Sequence, residues 1–152
     1  MKKNILVLLI AFTAIVFSAC TKYEEGGYAS KIRITGTWEI SELLINGEPL
    51  DMSSLSQGDM SVSLKNIVFE KDETGSINYT INSVLNNSDK FEWEFSDDKK
   101  FLEIEGSSSS TASSMVQFLP KESEILKLTK TELKLKGTIL ENSSVLITLV
   151  KE

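Results

Sequence analysis

The sequence contains no histidine. That absence excludes imidazole general acid–base catalysis, histidine-based serine triads, and zinc or iron sites of the imidazole type. There is one cysteine, Cys20, so no intrachain disulfide can form. Cations are scarce: 16 Lys plus Arg stand against 22 Asp plus Glu, a formal charge of −6, and Arg33 is the only arginine. Nucleic-acid phosphates require clustered Lys and Arg, which rules out nucleic acid as a partner. The glycines at 26, 27, 36, 47, 58 and 75 lie in turns or linkers and build no phosphate-cradling loop. No repeat of about 20–50 residues is present, so the chain is neither a solenoid nor a propeller.

What the sequence has is, first, a segmented amino terminus. Lys2 and Lys3 precede an apolar run from Ile5 to Phe17, followed by Ser18, Ala19 and Cys20. A basic start, an apolar middle and a small-residue end define an export signal over residues 1–19. The run is shorter than the ~20 residues needed to cross a bilayer, and no basic stop-transfer cluster follows it. Phe17-Ser18-Ala19-Cys20 resembles the lipobox of bacterial lipoproteins, with Phe17 in the place usually held by leucine. The resemblance implies that the Cys20 thiol is acylated and the chain cut just before it, which also removes the only thiol from catalysis.

Loss of residues 1–19 removes two lysines and no acids, leaving 14 cations against 22 acids and a formal charge of −8. The acyl chains, rather than attraction to anionic lipid, then carry the membrane contact. Residues 20–31 read as the lipidated cysteine and a flexible tether: Glu24-Glu25 and Gly26-Gly27 lie in a stretch, 21–30, without apolar periodicity. Lysine followed by acids after the lipidated cysteine is similar to the tag that directs lipoproteins of Bacteroidota type to the outer face of the outer membrane. The expected location is the cell envelope, at the outer membrane, on its periplasmic face or the cell surface.

From Gly36 onward the apolar period is two, in short runs separated by turn residues, which predicts antiparallel β structure. Residues 37–45 form a first strand with Trp38 and Ile40 on one face, ended by Asn46-Gly47 and Pro49. Residues 50–60 are a connecting loop with room for a short helix. Ile67 and Phe69, then Ile77, Tyr79 and Ile81, form a hairpin about the turn 71–75. Phe91, Trp93 and Phe95 alternate with Glu92 and Glu94, giving a dry and a wet face. The turn Asp97-Asp98-Lys99-Lys100 reverses them into Leu102 and Ile104. The serine-rich stretch 106–114 is low-complexity and reads as a loop. Residues 115–119, 125–129, 132–136 and 145–150 supply the remaining strands. About eight strands in sequence, without a crossover helix, give either a sandwich or a closed barrel; closure is favoured because it removes exposed edges.

Gly36-Thr37-Trp38 at the head of this meander resembles the G-x-W motif of lipocalins. Residues 32–152 are similar to the lipocalin-like domain of small Bacteroidota lipoproteins, through Asn46-Gly47, the aromatic pattern Phe91 to Phe95, and the Leu133-Lys134-Leu135 hairpin strand. The resemblance implies an all-β, up-and-down barrel of about eight strands. Lipocalins cap the tryptophan with an arginine near the last strand; here Lys151 is the nearest cation at that end.

No catalytic or metal-ligating set emerges. Asp97-Asp98 lies in a polar turn, Glu92 and Glu94 point outward, and Asp72-Glu73-Thr74-Gly75 lacks the ligand spacing of a calcium loop. The reading is therefore non-enzymatic, without a cofactor. The aromatic set Trp38, Phe69, Tyr79, Phe91, Trp93, Phe95 and Phe118 either fills the core or in part lines a pocket, since an eight-stranded barrel accommodates either. Trp38, Tyr79, Phe91 and Trp93 are the candidate ligand-binding residues. Two functions follow: capture of a small hydrophobic or amphipathic ligand, or a structural or assembly role in which a filled barrel presents the loops 50–60 and 106–114 to an envelope protein.

Overall fold

A computed structural model describes residues 22–27, 29–50, 61–106, 115–139 and 142–152. The export signal, Cys20, most of the 50–60 loop and residues 107–114 of the serine-rich loop lie outside the described residues. A short helix α1 (Lys31–Ile34) leads into strands β1 (Gly36–Ile45), β2 (Glu48–Pro49), β3 (Val62–Phe69), β4 (Thr74–Ile81) and β5 (Leu85–Phe95). Then come β6 (Phe101–Gly106), a 3-10 turn (Met115–Phe118), β7 (Glu122–Leu128), β8 (Glu132–Ile139) and β9 (Ser143–Lys151). Every strand pair is antiparallel, β3 pairs with β1, each strand from β3 to β9 neighbours the next in sequence, and β9 returns to pair with β1 from Trp38↔Lys151 to Ile45↔Val145. The result is a closed barrel of eight strands, with β2 a stub that hairpins back on β1 through Asn46-Gly47.

Alternation produces this shape because each strand buries one face. Ile67 and Phe69, Phe91 and Trp93, Leu102 and Ile104, Leu133 and Leu135, and Ile147 and Leu149 are all inward and buried. Their neighbours Glu92, Glu94 and Lys136 are exposed. Bulges in β1 between Ile40 and Glu42, in β3 between Leu64 and Asn66, and in β7 between Ile125 and Lys127 shift the inward parity along these strands. Thus Trp38 and Ile40 face the core before the β1 bulge, and Leu43 and Ile45 do so after it.

Two expectations need correction. Residues 115–119 are not a strand: Met115–Phe118 is a 3-10 turn whose Met115 and Val116 are buried. Its apolar residues cap the end of the core rather than extend the sheet. The stretch 21–30, expected to be solvated, is in its described part packed on the barrel. Tyr23 is only 5% exposed and its hydroxyl donates to the Lys99 carbonyl at 2.5 Å. Gly27 bridges Leu128 in parallel, and Glu25 pairs with Lys134 at 3.0 Å. The cause is a step in the barrel rim. β6 pairs with β7 only over Phe101↔Glu124 to Glu103↔Glu122, with the Ile125 N–H bonded to the Lys100 carbonyl, so β7 beyond Ile125 has an open edge that these residues cover. Gly27 is required there, since at φ +83 a Cβ would lie 1.7 Å from the Leu128 carbonyl oxygen.

Candidate ligand site in the barrel

The two ends of the barrel differ. At the end where β1 begins, α1 folds beneath the core, with Ile34 and Trp38 both fully buried. The Trp38 indole Nε1 donates to the Ile34 carbonyl at 2.6 Å. Lys151 extends over the same ring, its Nζ 5.0 Å from the centroid and donating to the Arg33 carbonyl at 2.9 Å. Burial pulls the Lys151 ammonium below its ordinary pKa. The first residue of the Gly36-Thr37-Trp38 motif is explained by this packing: Gly36 has φ +134, and a Cβ there would lie 2.6 Å from Lys151 Cε. Lys151 thus occupies the ring-capping place that lipocalins give to arginine.

Above this base, Phe69 meets Phe91 edge to face at 5.5 Å and Trp93 at 5.7 Å, and Trp93 meets Phe95 at 5.8 Å. The Trp93 indole donates to the Thr74 carbonyl at 2.8 Å. Phe91 and Trp93 are 1% and 2% exposed. Of the four candidate residues, then, Phe91 and Trp93 join one ring cluster and Trp38 lies at the closed base. Both indole N–H groups are already bonded to backbone.

Tyr79 is different. It is half-buried on the inner face of β4, opposite Leu64 and Asn87, toward the end where β5 begins. Its hydroxyl lies 3.4 Å from Asp89 Oδ1, and the other carboxylate oxygen accepts the Met115 backbone N–H at 2.6 Å. Desolvation first, and the Asp89 charge second, raise the Tyr79 phenol above its usual pKa. Asp89 was not among the residues expected at a site. Its signal was present, because it shares odd parity with Phe91, Trp93 and Phe95, and the alternation carried back two positions places it inside. Ser123 is a second inward polar residue, 0% exposed, and its Oγ has no hydrogen-bond partner among the described residues.

On the outer wall, Glu92 opposes Glu105, and Glu94, Glu103 and Glu122 stand side by side across β5, β6 and β7. With Asp72 and Glu73 the glutamates of β5 and β6 line an open groove of about 340 Å³. Asp72 itself closes the β3–β4 turn by accepting from the Thr74 hydroxyl at 2.7 Å and its N–H at 3.2 Å, which lowers its pKa.

A crystal structure of a lipocalin-like protein from Bacteroides uniformis has the same fold, with a TM-score of 0.53 at 11% identity over 79% of this chain and 99% of that one. Japanin from Rhipicephalus appendiculatus, solved bound to cholesterol, gives a TM-score of 0.47 at 15% identity over 81% of this chain and 78% of that one. No curated protein matches the sequence. The model of the lipocalin-like domain matches residues 34–135, from the end of α1 into β8, and the chain belongs to that lipocalin-like domain family.

Proposed function

We propose that this protein is an envelope-anchored lipoprotein, held at the outer membrane through acylated Cys20, whose barrel binds a small hydrophobic or amphipathic molecule without catalysis. The observation that carries the binding reading is the polarity of the inner wall along the barrel axis. One end is packed with rings whose N–H groups are bonded to backbone; the other presents Tyr79 and Asp89 beside Leu64. An apolar wall with a few convergent polar groups is the usual lining of a site for an amphipathic ligand. Of the candidate residues, Tyr79 is assigned direct contact with the ligand. Trp38, Phe91 and Trp93 are assigned the floor that fixes the depth of the site.

A second reading is favoured by the burial of those same three rings, at 2% exposure or less. On that reading the barrel is filled and serves a structural or assembly role, presenting its loops to an envelope protein partner. Native mass spectrometry of the protein extracted from its own envelope separates the two. A bound lipid or other small apolar molecule, lost in Tyr79→Ala and Asp89→Asn proteins that still melt near the wild-type temperature, supports binding. A ligand-free wild-type spectrum supports the filled barrel. The anchor has its own test: Cys20→Ala should abolish palmitate labelling, and normal labelling of that variant refutes it.

A further inference from the structure

We infer that the barrel is held against the lipid surface in one orientation, with its closed base toward the bilayer and the Tyr79–Asp89 end facing away. This rests on the lipid-anchor reading of Cys20 and adds to it a specific surface that meets lipid headgroups.

The argument begins with chain length. Tyr23 is three residues after Cys20, so at about 3.3–3.6 Å per residue the backbone that carries the acylated sulfur lies within roughly 11 Å of the Tyr23 backbone. Tyr23 is buried and bonded to Lys99 in the β5–β6 turn, and Gly27 bridges Leu128 at the end of β7. Both attachments are on the rim of the base, the end that also carries α1 and the Trp38–Lys151 contact. A flexible linker of 20–31 would let the barrel tumble. With residues 22–27 seated in the step between β6 and β7, the acyl chains instead leave from the base rim on a span shorter than the barrel, whose strands of six to eleven residues give a height of roughly 20 Å.

The surface exposed there suits a headgroup layer. Ile32 of α1 is 82% exposed, the most exposed large apolar side chain among the described residues, and stands in sequence between Lys31, which is ion-paired with Glu73 of the β3–β4 turn, and Arg33. An apolar residue flanked by cations is the pattern of side chains that settle at a membrane interface. The opposite end also has an apolar tip, Val84 at 77% and Leu85 at 61% exposed, in the β4–β5 turn. Composition alone does not choose between the two tips; the seat of Tyr23 does, because it ties the anchor to the Ile32 end.

The test uses the full acylated protein in vesicles of phosphatidylethanolamine and phosphatidylglycerol carrying a trace of headgroup-linked acceptor dye. Cys20 is consumed by acylation, so Ile32→Cys or Val84→Cys provides a single site for a donor dye. Energy transfer from position 32 is expected to exceed that from position 84 by about threefold, given the ~20 Å between them. Tyr23→Ala should bring the two signals together while acylated mass and vesicle retention stay unchanged. Equal transfer from the two positions in the wild-type seat, or stronger transfer from position 84, overturns the orientation and leaves the anchor standing. Protein that lacks the acyl mass and does not stay with the vesicles overturns the anchor and the orientation together.

Discussion

Lys151 Nζ lies 5.0 Å from the centre of the Trp38 ring and bonds the Arg33 carbonyl, so one side chain from the last strand ties the first strand and α1 into a closed base. A cation over an indole contributes about 0.5–2 kcal/mol, and the hydrogen bond adds about 1. Lys151→Ala should therefore lower unfolding stability by ~1–3 kcal/mol in urea, while Lys151→Arg, with a planar group able to stack on the ring, should retain most of it. Gly36→Ala should cost at least as much, because the residue sits at φ +134 against Lys151. Wild-type midpoints for all three proteins would show that the contact does not hold the base.

Trp93 and Tyr79 should respond in opposite ways. Trp93→Ala removes a ring that touches Phe69 and Phe95 and one of the two donors to the Thr74 carbonyl, leaving it the Glu70 N–H alone. A loss of about 3–5 kcal/mol is expected. Tyr79→Phe keeps the ring and removes only a long contact to Asp89, so its stability should change by less than ~1 kcal/mol while ligand retention falls. Equal destabilisation by the two changes would assign Tyr79 to the packed core.

The glutamate row Glu94, Glu103 and Glu122 places like charges directly across neighbouring strands. Each such contact is unfavourable by a few tenths of a kcal/mol to about 1. Glu103→Lys converts two repulsions into attractions and should raise the Tm by ~1–4 °C at low salt, an effect that shrinks near 1 M salt, where the screening length is about 3 Å. A lower Tm, or a gain that ignores salt, would mean that these carboxylates do not feel one another.

Burial, and after it the Asp98 charge, pushes the Tyr23 phenol well above its ordinary value. A phenol whose pKa is raised on folding favours the folded state fully below its unfolded value of about 10, and that contribution is lost as pH rises beyond it. Docking of residues 22–27 should accordingly be constant through neutral pH and weaken in strong alkali. In a titration followed at 295 nm, Tyr23→Phe should remove the latest-titrating component. If the latest component persists in that variant, Tyr23 is not seated in the rim step.

The barrel was legible in the sequence because the burial of alternate residues on a closed sheet leaves a period-two record, clearest in Phe91 to Phe95 and in Leu133 to Leu135. Asn46-Gly47 likewise fixed a hairpin turn locally, with Asn46 at φ 52. The seat of residues 22–27 left no such record. Its cause, the open edge of β7 beyond Ile125, arises from the stagger between the β5–β6 and β7–β8 hairpins, far from Tyr23 in the chain, and Tyr23 has no apolar neighbours at strand spacing to mark it. The 3-10 turn at Met115 has the sequence pattern of a strand for a related reason, since a short apolar run has the same composition whether it joins a sheet or caps its end. Local alternation and turn chemistry thus determined that the chain is a meander with one dry face. Only long-range packing decided that Lys151 closes on Trp38, that Asp89 meets Tyr79 and Met115, and that the supposed tether is part of the wall.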